Sequence, residues 1–96
     1  MRYPTDEELE KVKKWEITGK PKAFSALMTY INEIADWYRF EQKGNAYFLS
    51  TGGWSGNEDV IMAMMENMVF WFIYHYRTTR GGHYIFAPAG YSLEDE

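Results

Sequence analysis

None of the 96 residues is a cysteine. A domain of this size buries only about 60–65% of the surface its unfolded chain exposes. Here no disulfide and no thiolate-held metal makes up the shortfall. The chain must pack well or gain area by association. Its composition supplies the means, since aromatic residues reach 19% (4 Trp, 8 Tyr and 6 Phe) and each ring carries a large apolar area into a core. With 46% hydrophobic and 25% charged residues, it reads as one globular domain and excludes disorder over most of its length. The absence of cysteine also excludes thiolate catalysis.

Ten Lys and Arg face fourteen Asp and Glu, a net charge of −4. Duplex-binding domains carry a basic excess because phosphate contacts supply most of their affinity, so a nucleic-acid partner is disfavoured. No apolar run approaches about 18 residues, and no membrane span is expected. The N-terminus lacks the charged–apolar–small pattern of a secretory signal.

Thr5-Asp6-Glu7-Glu8 matches a capping box, and Leu9, Val12 and Trp15 follow at helical spacing. A first helix is expected over about 6–17, with Gly19 as its stop. Pro21 suits the first turn of a second helix. Phe24, Leu27, Met28, Ile31, Ile34, Ala35 and Tyr38 then recur at steps of three and four, predicting a helix over about 21–36. Lys43-Gly44-Asn45 is a turn between strands Tyr38–Gln42 and Ala46–Thr51. A third helix starts at Ser55 or Asn57, where Ser55-Gly56-Asn57-Glu58 is a second capping-box match. Val60, Ile61, Met64, Met65 and Met68 form its core stripe. The next stretch, Val69 to Arg77, is aromatic and β-branched without a clear helical phase. A hairpin pairing about 70–77 with 83–87 is therefore preferred to a continued helix, with Pro88 ending it.

The expected architecture is a single α+β domain over residues 1–96. Two N-terminal helices precede β-β-α-β-β, and a three- or four-stranded antiparallel sheet is covered by helices on one face. Residues 89–96, ending in Glu94-Asp95-Glu96, are expected to form a frayed tail.

Ser50 to Asn57 holds three of the eight glycines within five positions. It runs from a strand into a helix N-terminus, where backbone N–H groups can hold an anion and the hydroxyls of Ser50, Thr51 and Ser55 are further donors. It matches neither a P-loop nor a dinucleotide fingerprint, and Glu58 and Asp59 in the first helical turn would repel a phosphate. The structural alternative is a tight strand-to-helix connection with Trp54 plugging the core. His75 and His83 flank the last turn, but two histidines without a metal-ligand spacing make a poor metal set. Gly53-Trp54-Ser55-Gly56 misses the G-x-S-x-G spacing on its C-terminal side, which argues against a hydrolase elbow. Tyr74, Tyr76, Tyr84 and Phe86, beside Arg77 and Arg80, could form an aromatic sheet face. With net acidity, such a face suits protein contact or homodimerisation better than base stacking.

The runs Ser50-Thr51-Gly52-Gly53-Trp54-Ser55-Gly56-Asn57-Glu58 and Arg80-Gly81-Gly82-His83-Tyr84-Ile85-Phe86 resemble small proteins encoded by bacteriophages and prophages, over roughly the second half of the chain. The resemblance implies a setting, the bacterial cytoplasm during infection or lysogeny, and no reaction. It also implies that the Trp54 loop and the Arg80–His83 turn belong together. The expected function is a non-enzymatic binding module that engages a host protein through the aromatic sheet face and the Gly/Trp loop. The alternative is a small anionic ligand, such as a nucleotide, held at Gly52–Asn57 and the helix N-terminus. The candidate residues are Ser50, Thr51, Gly53, Trp54, Ser55, Asn57, Arg80 and His83. No cofactor and no metal are expected.

Overall fold

In a computed structural model, which describes residues 2–18 and 20–93, the order of elements is α-α-β-β-α-α-β-β. These are α1 (Asp6–Lys13), α2 (Pro21–Ile34), β1 (Arg39–Lys43), β2 (Ala46–Ser50), α3 (Ser55–Glu66), α4 (Met68–Tyr74), β3 (His75–Thr79) and β4 (His83–Phe86). The strands form one antiparallel sheet in the order β1-β2-β4-β3. This is the expected α+β class. None of the helices is long and apolar enough to cross a membrane, among the described residues.

Strand alternation divides the sheet into two faces. Phe40, Tyr47, Leu49, Tyr84 and Phe86 point toward the helices and join the main core. Ala46, Phe48, Ile85 and Ala87 point the other way into a smaller cluster completed by Tyr91 and Leu93. Residues 89–93, expected to fray, are therefore laid on the second face, where Leu93 N donates to Tyr76 Oη at 3.3 Å. Residues 94–96 lie outside the described residues.

α1 opens on the expected capping box. Glu8 N donates to Thr5 Oγ1 at 3.1 Å, and Thr5 N donates to Glu8 Oε1 at 2.9 Å. α2 carries the expected stripe, with Phe24, Leu27, Met28, Ile31 and Ile34 buried. Its end is set by Trp37, whose indole Nε1 donates to Ile31 O at 2.9 Å, while Ala35 is already extended. Tyr38, expected on that stripe, is exposed. Phe24 is the hub of the aromatic core. It stacks on Tyr74 at 4.0 Å between centroids and 4° between planes, meets Tyr47 edge-on at 5.3 Å, and contacts Phe70 at 6.2 Å.

Three further expectations are corrected. Residues 70–74 are helical, so the last hairpin pairs 75–79 with 83–86. In a helix Phe70 and Tyr74, four apart, both reach the core, and that burial outweighs the strand preference of aromatic and β-branched residues. The outward turn of the same helix leaves Met68 77% exposed, and Met65 at the end of α3 is also exposed, so neither belongs to the core stripe. The first helix ends at Lys13, not near 17, and the proposed stop at Gly19 lies outside the described residues. The cause is Asn67, between α3 and α4. Its Nδ2 donates to Val12 O and Trp15 O, both at 3.0 Å, and its Oδ1 accepts from Phe70 N at 3.2 Å. One buried amide thus ends α1 and starts α4.

Asn67→Ala removes all three bonds and leaves Trp15 O without its donor. It is expected to destabilise the fold by about 3 kcal/mol in urea unfolding, several times the cost of an ordinary surface substitution.

Candidate functional site

The two runs singled out in the sequence meet at one end of the sheet. Ser50 ends β2 directly opposite His83, which begins β4. Ser50 Oγ and His83 Nδ1 share a hydrogen bond of 2.7 Å. One residue further, Thr51 N donates to Gly82 O at 3.0 Å. The contact requires glycine at 82. Its φ is +80°, and a Cβ there would lie 2.5 Å from Thr51 Oγ1. Gly82 therefore serves the approach of the Ser50–Thr51 segment.

The side chains of this junction are largely committed to the protein itself. Ser50, Thr51 and Asn57 are buried. Thr51 Oγ1 accepts from Gly53 N at 3.2 Å. Asn57 does not cap α3. Its Nδ2 donates to Asp36 O at 2.7 Å and Thr51 O at 2.9 Å, tying the loop to the end of α2. The second capping box is also absent, because α3 begins at Ser55 with Trp54 as an N-cap that makes no side-chain bond. On one side the start of α3 is covered by the N-terminal segment, since a Cβ on Gly56 would lie 2.9 Å from Tyr3 Cδ1. Gly53, Ser55, Arg80 and His83 remain exposed, and Trp54 is half-buried, outside the main core cluster. A shallow recess of about 220 Å³ lies beside Ser50 and His83, with Arg39, Thr79 and Leu93 at its edges, and neither Trp54 nor Arg80 lines it.

Ser50 and His83 have the chemistry of a nucleophile and a base, but the arrangement stops there. Ser50 is buried, and among the described residues no carboxylate hydrogen-bonds His83 to orient it. His75 pairs with Phe86 at the far end of the hairpin from His83. Among the described residues no group of three or more acids and histidines is placed to hold a metal ion.

The expected aromatic sheet face is not at the surface. Tyr84 and Phe86 pack under the helices, Tyr74 belongs to α4, and Tyr76 meets Tyr91 edge-on at 5.0 Å. Besides Tyr3, Tyr38 and Tyr76, the exposed large apolar side chains lie on α3 and α4: Met62, Met65, Met68, Val69, Phe72 and Ile73. Their signal in the sequence was the missing helical phase of Val69–Tyr74. A helix apolar all round has more greasy surface than one core can cover. Scans against protein-family models, curated proteins and solved structures returned no match.

Gly82→Ala is expected to cost about 2 kcal/mol or more, combining backbone strain with a steric clash. Gly53→Ala, with φ +77° but open space around it, is expected to cost about 1 kcal/mol. Urea midpoints of the two variants check the difference.

A pH effect follows from His75. The ring stacks on Trp71 at 4.2 Å, and burial lowers its pKa from 6.5. The unfolded chain therefore takes up the proton first. Stability is complete above about pH 6.5 and declines as pH falls from there toward the depressed folded value. Urea midpoints between about pH 8 and about pH 5 are expected to show this decline, and His75→Gln to flatten it.

Proposed function

We propose that the protein is a non-enzymatic binding module that takes a host protein on the outward face of α3 and α4. The setting is the bacterial cytoplasm implied by the resemblance to phage proteins. The observation that carries this reading is Phe72, 91% exposed in the middle of an apolar row. Single exposed apolar side chains are ordinary. Here Met62 and Met65 on α3 and Met68, Val69, Phe72 and Ile73 on α4 lie at helical steps within each helix, and only Asn67 separates the two helices. Taking about 200 Å² for each large residue, their exposed fractions amount to roughly 750 Å², close to one partner's share of a standard interface. Three methionines give this face side chains that adapt to a partner's shape.

Charge favours a partner other than a second copy. Asp59 stands one helical step from Met62, Glu66 on the other side is paired with Lys13 at 3.4 Å, and each copy carries −4. Two such faces repel, whereas an amphipathic helix with basic flanks finds both an apolar surface and complementary charge. The nucleotide alternative has less support, because Thr51 and Asn57 spend their side chains inside the loop.

Light scattering is expected to find a monomer. A Leu-rich model helix flanked by lysines is expected to bind, more weakly as salt rises. Phe72→Ser is expected to weaken it at least about tenfold with the fold retained. A stable dimer, or binding that Phe72→Ser leaves unchanged, would overturn the reading.

A further inference from the structure

A second surface feature, independent of the α3–α4 face, lies where the start of α2 meets the other end of the sheet. A slot of about 320 Å³ opens between α2, the β1–β2 turn and Pro88. That is the low end of the range for small-molecule pockets. Its floor is the rim of the aromatic core: Phe24, Tyr47 and Tyr74. Both tyrosines are only 5% exposed. A buried phenol ordinarily finds a hydrogen-bond partner. Among the described residues neither hydroxyl has one, and neither is sealed from solvent. Burial pushes the Tyr47 phenol up, which keeps it a protonated donor.

The rim fixes the sign of charge. Lys22 lines the slot, and none of its described lining residues is acidic. α2 begins there, with Pro21 in its first turn and no side-chain cap from Lys20. The positive end of a 14-residue helix is therefore uncapped by any side chain beside the slot. The sides carry the rings of Pro21 and Pro88.

We propose that this slot binds a small planar aromatic carboxylate. The ring system lies against Phe24 and Pro88, and the carboxylate accepts from the Tyr47 and Tyr74 hydroxyls within reach of Lys22. No bond is made or broken. A neutral ligand of the same shape satisfies the walls and forgoes the charge.

The test is an amide NMR titration of the ¹⁵N-labelled chain with sodium 2-naphthoate, and with 2-naphthamide as its neutral counterpart. Naphthoate is expected to give saturable shifts confined to Lys22, Ser25, Gln42, Asn45 and their neighbours, with a Kd of about 1 mM or tighter. Tyr47→Phe and Tyr74→Phe keep the rings and are each expected to weaken it about fivefold. Ser25→Trp, on the exposed rim, is expected to fill the slot and abolish binding, whatever the tyrosine variants do to stability. Shifts that do not saturate, that map elsewhere or that survive Ser25→Trp overturn the site. Equal binding of the amide overturns the carboxylate.

Discussion

With no covalent cross-link, the fold rests on the aromatic contacts that radiate from Phe24. One ring on α2 touches Tyr74 and Phe70 on α4 and Tyr47 on β2, and Phe70 carries the contact on to Phe86 on β4 at 5.5 Å. Each such pair adds about 0.5–1.5 kcal/mol beyond the area it buries. Because they join four elements through one point, they act as a unit. The same cluster joins helices to sheet in a chain that has no cysteine for a disulfide.

Two side-chain amides do at the loops what the rings do in the core. Asn67 holds the end of α1 and the start of α4, and Asn57 holds the end of α2 and the loop after β2. Each donates to two backbone carbonyls, and among the described residues one of these, Trp15 O at Asn67, has no backbone donor of its own. Both are placed by segments far apart in the chain. Asn57 looked like a helix cap because caps favour its residue type, yet its amide points away from the helix it was expected to start.

The tension between covering a core and leaving a surface runs through α4. Phe70 and Tyr74 satisfy the core, and Trp71 packs at its edge against His75 and Phe86. That leaves Phe72 and Ile73 nowhere to go but outward. Inward-facing residues supply stability and outward-facing ones supply the binding surface proposed here. The junction between Ser50–Thr51 and Gly82–His83, in contrast, is close-packed and internally bonded, and reads as the clasp that closes one end of the sheet.

Local pattern alone determined much of this. The Thr5 capping box, the apolar stripe of α2, the Gly44-Asn45 turn and the α+β class were all legible in the chain. Capping chemistry, helical period and turn propensity act within a few residues, and the nearness of the two glycine-rich runs came from the resemblance. What the tertiary structure decided was which way ambiguous residues turn. Whether Val69–Tyr74 is strand or helix, whether Asn57 caps or clamps, and whether Met65 and Met68 lie inside depend on what already occupies the space beside them. A core of fixed volume accepts Phe70 and Tyr74 and has no room for Phe72, and no local sequence pattern encodes that competition.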